Sequence, residues 1–266
     1  LQEIEAMPET TLAEGSAKQA AYEAWEQERS SDPQTLAADL YTAAFFLPKT
    51  QASQSKVPTS EHLLLLQSGQ EIPGDLEVAV QQARRDFRFF HWYLNFGEVM
   101  KTGGFDCVLG NPPWEMSQLN EIEFFSGLIP SIAELKGARR KDEIDRIRTY
   151  DIELYSMFEL SKRGYDSSNS FWRSSHFRFS GDGRINIYAL FAELSTMVTG
   201  KKGFIGIIVP TGLATDSGQA KFLDSLLESQ SLFSVYDFEN RKLLFKGIDP
   251  RNKFSLITIA PKGAAS

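Results

Sequence analysis

Apolar positions change their rhythm partway along this chain. Before about residue 100 they recur at helical spacing. Ala13 to Arg29 is rich in helix formers. Asp32-Pro33 then supplies a cap with a proline in the first turn, and Pro48 predicts the stop of a helix ending at Phe46-Leu47. Thr50 to Ser60 is polar and predicts a mobile loop. Pro73-Gly74-Asp75 opens a helix whose apolar residues Leu76, Val80, Ala83, Phe87, Phe90 and Leu94 step by four and three, one continuous stripe. The aromatic crowding at its end, FRFFHWYLNF, reads as core packing.

After Gly103 the period shortens. Phe105–Leu109 is a short apolar strand. Helical material follows from Glu121 to about Arg163, interrupted at Pro130 and closed by Gly164. Tyr165 to Asp182 reads as a loop in which Arg173, His176 and Arg178 alternate with Phe171, Trp172, Phe177 and Phe179. That alternation suits either a surface loop or charge and stacking contacts with a nucleic-acid strand. Arg184 to Thr199 predicts a helix ended by Gly200. Gly203–Val209 is a near-continuous apolar strand of the kind buried on both faces. Thr215-Asp216 caps a helix to about Ser229, and SLFSVYDF and Phe254–Ala260 are strands. Glu239 to Lys253 is too short for a crossover helix, so the last two strands are expected to be antiparallel neighbours. The fold class is α/β, half of a doubly wound sheet preceded by a helical region. The expected organisation is residues 1–100 helical and 101–266 the sheet domain, with a helical insertion at about 118–183.

Composition narrows the function. A chain of 266 residues can bury a substantial core. No apolar run approaches the ~20 residues that span a bilayer, so no membrane partner is expected. The chain opens at Leu1 and closes on a bland Pro-Lys-Gly-Ala-Ala-Ser tail, as a piece of something longer would. Its one cysteine, Cys107, excludes an internal disulfide, fits a reducing compartment such as the cytoplasm, and reads as a small buried apolar residue. The net charge of −7 lacks the basic surplus of a self-sufficient nucleic-acid binder. The three histidines, His62, His91 and His176, lack metal-site spacing, and no metal is expected. The block LKGARRKDEIDRIR mixes both charge signs at i, i+4 spacing, as a solvated helix face does.

One corner stands out. The strand Phe105–Leu109 runs into Asn111-Pro112-Pro113-Trp114, where two prolines stiffen the exit. Ligands of open α/β sheets bind beyond the carboxyl ends of strands, where this corner lies. Proline nitrogens cannot donate, so the Asn111 side-chain carbonyl and the Pro112 backbone carbonyl make an acceptor surface. Trp114 adds a flat stacking face. Two acceptors and an indole suit an aromatic amine, such as the exocyclic group of an adenine. Holding both its hydrogens would aim its lone pair at an electrophile.

GGFDCVLGNPPWE, GFIGIIVPTGLATD and YDFENRKLLF resemble the catalytic motif, the next core strand and the base-pocket motif of the S-adenosylmethionine-dependent DNA adenine methyltransferases. The closest likeness is to the large methylase modules of combined restriction–modification and phage-defence enzymes. NIYALF at Asn186–Phe191 fits the helix between, and DLYTAAFF at Asp39–Phe46 a weaker match. The resemblance implies a Rossmann-like methyltransferase sheet and a double-stranded DNA substrate whose adenine is flipped into a pocket. It makes Asn111, Pro112, Pro113 and Trp114 the catalytic corner, with Asn111 and Pro112 accepting from the amine and Trp114 stacking. Phe245 becomes the candidate for the opposite face of the base, with Phe238 the alternative.

The resemblance also implies pieces that this sequence does not show. The family's glycine-rich cofactor motif is not found, since Ala13–Lys18 sits in predicted helix without a preceding strand. A target-recognition domain is likewise missing. The expectation is therefore a catalytic half that is inactive alone and relies on a cofactor half and a target-recognition domain elsewhere. Two other readings stay open: a methyltransferase acting on a protein glutamine or an RNA base, and a non-catalytic scaffold of a defence complex.

Overall fold

A computed structural model describes residues 2–30, 32–174, 177–242, 244–246 and 249–263. His176, one of the basic residues weighed above, lies outside the described residues. The chain divides into two compact units, Leu1–Asn95 and Phe96–Ser266.

The first unit is helical. Its longest helices are Leu12–Ser30, Pro33–Phe46 and Gly74–Phe87. Asp32 caps the second as its sequence predicts, its carboxylate accepting from the backbone N–H groups of Gln34 and Thr35. Leu36, Leu40, Leu76, Val80 and Ala83 form the core. Beside them Asp39 is 1% exposed, bonded to Arg84 at 3.0 Å and to His91 at 2.8 Å. A buried carboxylate needs such partners. Two expectations fail here. The 50–60 stretch contains a 3-10 helix, Gln51–Lys56, under a Thr50 capping box. The long apolar stripe is broken because Arg88 turns left-handed, φ 52°, which leaves Phe87 and Phe90 exposed.

The second unit carries one sheet of four strands in the order β1-β2-β4-β3. They are β1 (Phe105–Gly110), β2 (Thr199–Pro210), β3 (Leu232–Glu239) and β4 (Lys253–Ile259). β1 and β2 are parallel, and β4 lies antiparallel between β2 and β3. The α/β class and the antiparallel last pair are thus as the pattern predicts. The helices Ile187–Val198 and Ala220–Glu228 cover one face, burying Ile205, Ile207, Val209, Ile257 and Ile259 against Ala189, Ala192 and Phe222.

The other face is open, and this corrects two readings. β2 is buried on one face only, with Phe204 46% exposed, and its neighbour Leu109 on β1 is 79% exposed. Cys107 lies on the same side as Phe204 and is exposed rather than buried. A period-2 strand sends alternate residues to opposite faces, and an apolar run does not reveal which face is covered.

Between β1 and the Ile187–Val198 helix lie four helices: Glu121–Ser126, Pro130–Glu134, Ala138–Tyr150 and Ile152–Ser174. They pack around Phe125, Ile144, Ile147, Leu154 and Phe158. The last helix runs straight through Gly164, against the predicted stop and the predicted loop from Tyr165. Glycine inside a helix costs ~1 kcal/mol, and contacts beyond it offset that cost: Ser167 is buried and Asn169 donates to the Ser117 carbonyl at 2.9 Å. Arg140 donates to the carbonyls of Ala133 and Leu135, and Arg146 pairs with Glu143 at 2.9 Å. Residues 178–180 are held down, not free. Buried Glu193 accepts from the backbone N–H groups of Arg178, Phe179 and Ser180 and from the Ser180 hydroxyl. The helix closing this insertion is Ile187–Val198, and Gly200 belongs to β2. Helix Ala220–Glu228 follows a short Gly212–Thr215 turn, and Asp216 makes no side-chain cap.

Close approach by glycine fixes where β1 starts. Gly104 has φ +113°, and a Cβ there would lie 2.6 Å from the Val198 carbonyl and 2.8 Å from the Gly200 nitrogen. Backbone atoms cannot yield as a flexible side chain can. Gly104→Ala is therefore expected to cost roughly 1–3 kcal/mol of stability, read as a lower urea midpoint with an unchanged slope. An unchanged midpoint would contradict this account of the β1 entry.

Candidate functional site

The strand directions bring four chain ends to one edge of the sheet. β1 and β2 finish there, β3 finishes there, and antiparallel β4 begins there. A cleft of about 870 Å³ opens at this edge. Asn111, Pro112, Pro113 and Trp114 line it from the β1 exit, and Pro210, Gly212 and Asp216 from the β2 exit. Phe245, Asp249, Asn252 and Lys253 line it from the β3–β4 connection, with Tyr188 from the preceding helix.

The proline corner has a defined internal geometry. Trp114 is half-buried and packs on the sheet core. Its indole Nε1–H donates to Asn111 Oδ1 at 3.0 Å and to the Ile208 carbonyl at 3.3 Å. The indole therefore ties the Asn111 amide to the end of β2. A carbonyl oxygen has two lone pairs, so Asn111 Oδ1 keeps capacity for a second donor. Asn111 itself is exposed and Pro112 buried.

Phe245 and Phe238 occupy different places. The Phe245 ring centroid lies 4.9 Å from that of Trp114, with an interplanar angle of 57°. The same ring meets Phe254 edge-on at 5.0 Å. Phe238 stacks on Phe254 at 5.5 Å and is not among the cleft-lining residues. The geometry thus gathers Asn111, Pro112, Pro113, Trp114 and Phe245 and leaves Phe238 outside. It also shows the Trp114 and Phe245 rings touching each other.

Several lining residues carry no signal of their own in the sequence. Asp249 and Lys253 reach the cleft because β4 begins beside the end of β2, Pro210 opposite Phe254, while Tyr188 comes from the helix before β2 and Asp216 from the turn after it. The available clue was topological: loops leaving adjacent parallel strands converge. The β2 exit is locked by a small polar chain. Ser255, fully buried, donates to Asp237 and lies 3.2 Å from the Thr211 hydroxyl, which in turn is 3.4 Å from Asp237.

The lining is acidic, with Glu115, Asp216 and Asp249 against Lys253. Such a surface disfavours phosphate and favours hydrogen-bond donors. Asp249 is partly satisfied already: the Arg251 side chain, then its backbone N–H, hold its carboxyl below the usual value. Tyr188 is 5% exposed. Burial, followed by the nearby Asp216 carboxylate, pushes its phenol from 10.0 up to about 12. The Tyr188 hydroxyl keeps its proton at physiological pH, as an ordinary phenol does, and the shift extends that state further into the alkaline range.

A family model described as Eco57I restriction-modification methylase matches residues 29–165, just over half the chain. The matched span includes the Asn111–Trp114 corner. No curated protein and no solved structure matches the chain.

The Tyr188 shift has a pH consequence. A phenol whose folded value is raised binds its proton more tightly in the folded state, so its contribution is intact below pH 10 and is lost as pH rises toward about 12. Unfolding midpoints of the parent chain are expected to fall more steeply over that window than those of Tyr188→Phe. Parallel curves for the two would refute the assignment.

Proposed function

The chain belongs to the Eco57I restriction-modification methylase family, and on that footing we propose that its proline corner presents the exocyclic amine of a DNA adenine for methylation. The observation that carries this reading is the pairing of acceptors with a flat ring at the cleft. Asn111 Oδ1 is oriented by the Trp114 indole and retains one free acceptor direction. Pro112 contributes a carbonyl beside it and no competing N–H. An amine whose two hydrogens are both engaged keeps its lone pair free for attack. The lining carboxylates Glu115, Asp216 and Asp249 outnumber Lys253 and weigh against drawing a phosphate into the cleft instead.

Double-stranded DNA is the substrate in this reading, with the adenine extruded from the helix at a cost of a few kcal/mol. Trp114 supplies one stacking surface and Phe245 the other. A base sandwiched between two rings needs a separation of about 7 Å, two contacts of ~3.5 Å. The present separation is 4.9 Å, so the base enters by displacing the Phe245 ring from Trp114. With a net charge of −7, this chain is poorly suited to gripping phosphates. That role is assigned to a target-recognition part of a longer cytoplasmic protein or its partner.

The methyl donor that the family implies is S-adenosylmethionine. The described residues do not fit it. Ala13–Lys18, the stretch weighed from the sequence, lies inside the Leu12–Ser30 helix, and no glycine-rich turn leaves a strand beside β1 among the described residues. The chemistry assigned to this chain therefore stops at holding and orienting the acceptor amine. The donor site is attributed to a separate cofactor half.

Two outcomes test this. In the intact methylase, Asn111→Ala is expected to abolish adenine methylation, measured by mass spectrometry of substrate DNA, while circular dichroism stays unchanged. Near-normal turnover would remove Asn111 from the mechanism. Calorimetric titration of this chain alone with S-adenosylmethionine is expected to show no binding, and micromolar affinity would overturn the missing-cradle argument.

A further inference from the structure

Phe245 sits in the connection between β3 and β4, after the short 3-10 turn Asn240–Lys242 and outside any described helix or strand. Something other than secondary structure must hold it over the cleft. Asn240 does so. Its side chain is buried, with the residue 1% exposed. Its Nδ2 donates to the Phe245 carbonyl at 2.9 Å, and its Oδ1 accepts from the Phe245 N–H at 3.0 Å. One carboxamide thus satisfies both backbone groups of one residue, as a neighbouring strand would. The Asn240 backbone is fixed in turn, its N–H donating to the Asn252 carbonyl at 3.1 Å at the mouth of β4.

We infer that Asn240 is a positioning residue for the base pocket, acting through Phe245. This rests on the reading of Phe245 as a wall of that pocket. Few side chains can replace it. An aspartate would accept from the N–H but face the carbonyl with a second acceptor, and an alanine would leave both backbone groups without their partner. With the Phe245 backbone held at both ends, the freedom left to the residue is rotation of its side chain. The ring can then swing away from Trp114 to admit a base and return against it, without the loop unfolding.

A double-mutant cycle in the intact methylase tests this. Asn240→Ala, Phe245→Ala and the double variant are assayed for kcat and KM on duplex substrate at a temperature where circular dichroism shows each folded. Asn240→Ala is expected to lower kcat/KM on the order of 10- to 100-fold. In the Phe245→Ala background the same change is expected to add nothing. Should Asn240→Ala fold poorly, Asn240→Asp retains the bond to the Phe245 N–H and is expected to lose less activity. Wild-type kcat/KM in the folded Asn240 variants, or losses that multiply in the double variant, would overturn the inference. Full activity in Phe245→Ala would instead bring down the pocket reading beneath it.

Discussion

Parallel pairing of β1 with β2 sets Leu109 beside Gly206 and Gly110 beside Ile207, and the cleft exists where these two strands stop. A Cβ at Gly203 would lie 2.5 Å from the Phe105 carbonyl, and one at Gly206 would lie 2.7 Å from Leu109. Glycines on β2 thus let β1 approach, and the approach brings the Asn111-Pro112-Pro113-Trp114 exit against the β2 exit. The bond from the Trp114 indole to the Ile208 carbonyl then ties one exit to the other. Antiparallel β4 adds the third wall, because its first residue, Lys253, lies opposite Glu239 at the end of β3.

The corner's rigidity and the opposite wall's lightness are complementary. Trp114 is fixed by packing on the sheet and by its shared N–H, so the acceptor it orients is preorganised. Both backbone groups of Phe245 bond to buried Asn240, and its ring touches Trp114 at a tilt instead of lying parallel to it. Contact with the Phe245 ring covers part of the Trp114 indole. On the proposed reading, stacking on a base would exchange one aromatic contact for two, which would help offset the cost of drawing the base out.

Much of this was legible in the residues. The strand into Asn-Pro-Pro-Trp, the capped helix at Asp32 and the antiparallel last pair follow from proline geometry, capping chemistry and connection length. The choice of Phe245 over Phe238 was legible, because Phe245 lies in the turn between two strands; both rings touch Phe254, and only Phe245 also reaches Trp114. Other features were hidden for physical reasons. Gly164 gives a local helix-stop signal that contacts after it override, with Ser167 buried and Asn169 bonded to the Ser117 carbonyl. Cys107 reads as buried because an apolar strand does not say which of its faces a helix will cover. Asn240 looks like one more polar turn residue until its two bonds to Phe245 are seen. Tyr188 and Asp216 come from separate elements that meet only through the topology.

The central claim is that this cleft holds a purine by its amine. A crystal structure of the intact methylase on its duplex substrate tests it most directly. The account predicts an extruded adenine with its amine within hydrogen-bond distance of Asn111 Oδ1 and the Pro112 carbonyl, and the Phe245 ring moved from Trp114 to the far side of the base. A target adenine still stacked in the duplex, or one bound elsewhere while Trp114 and Phe245 remain in contact, would contradict it.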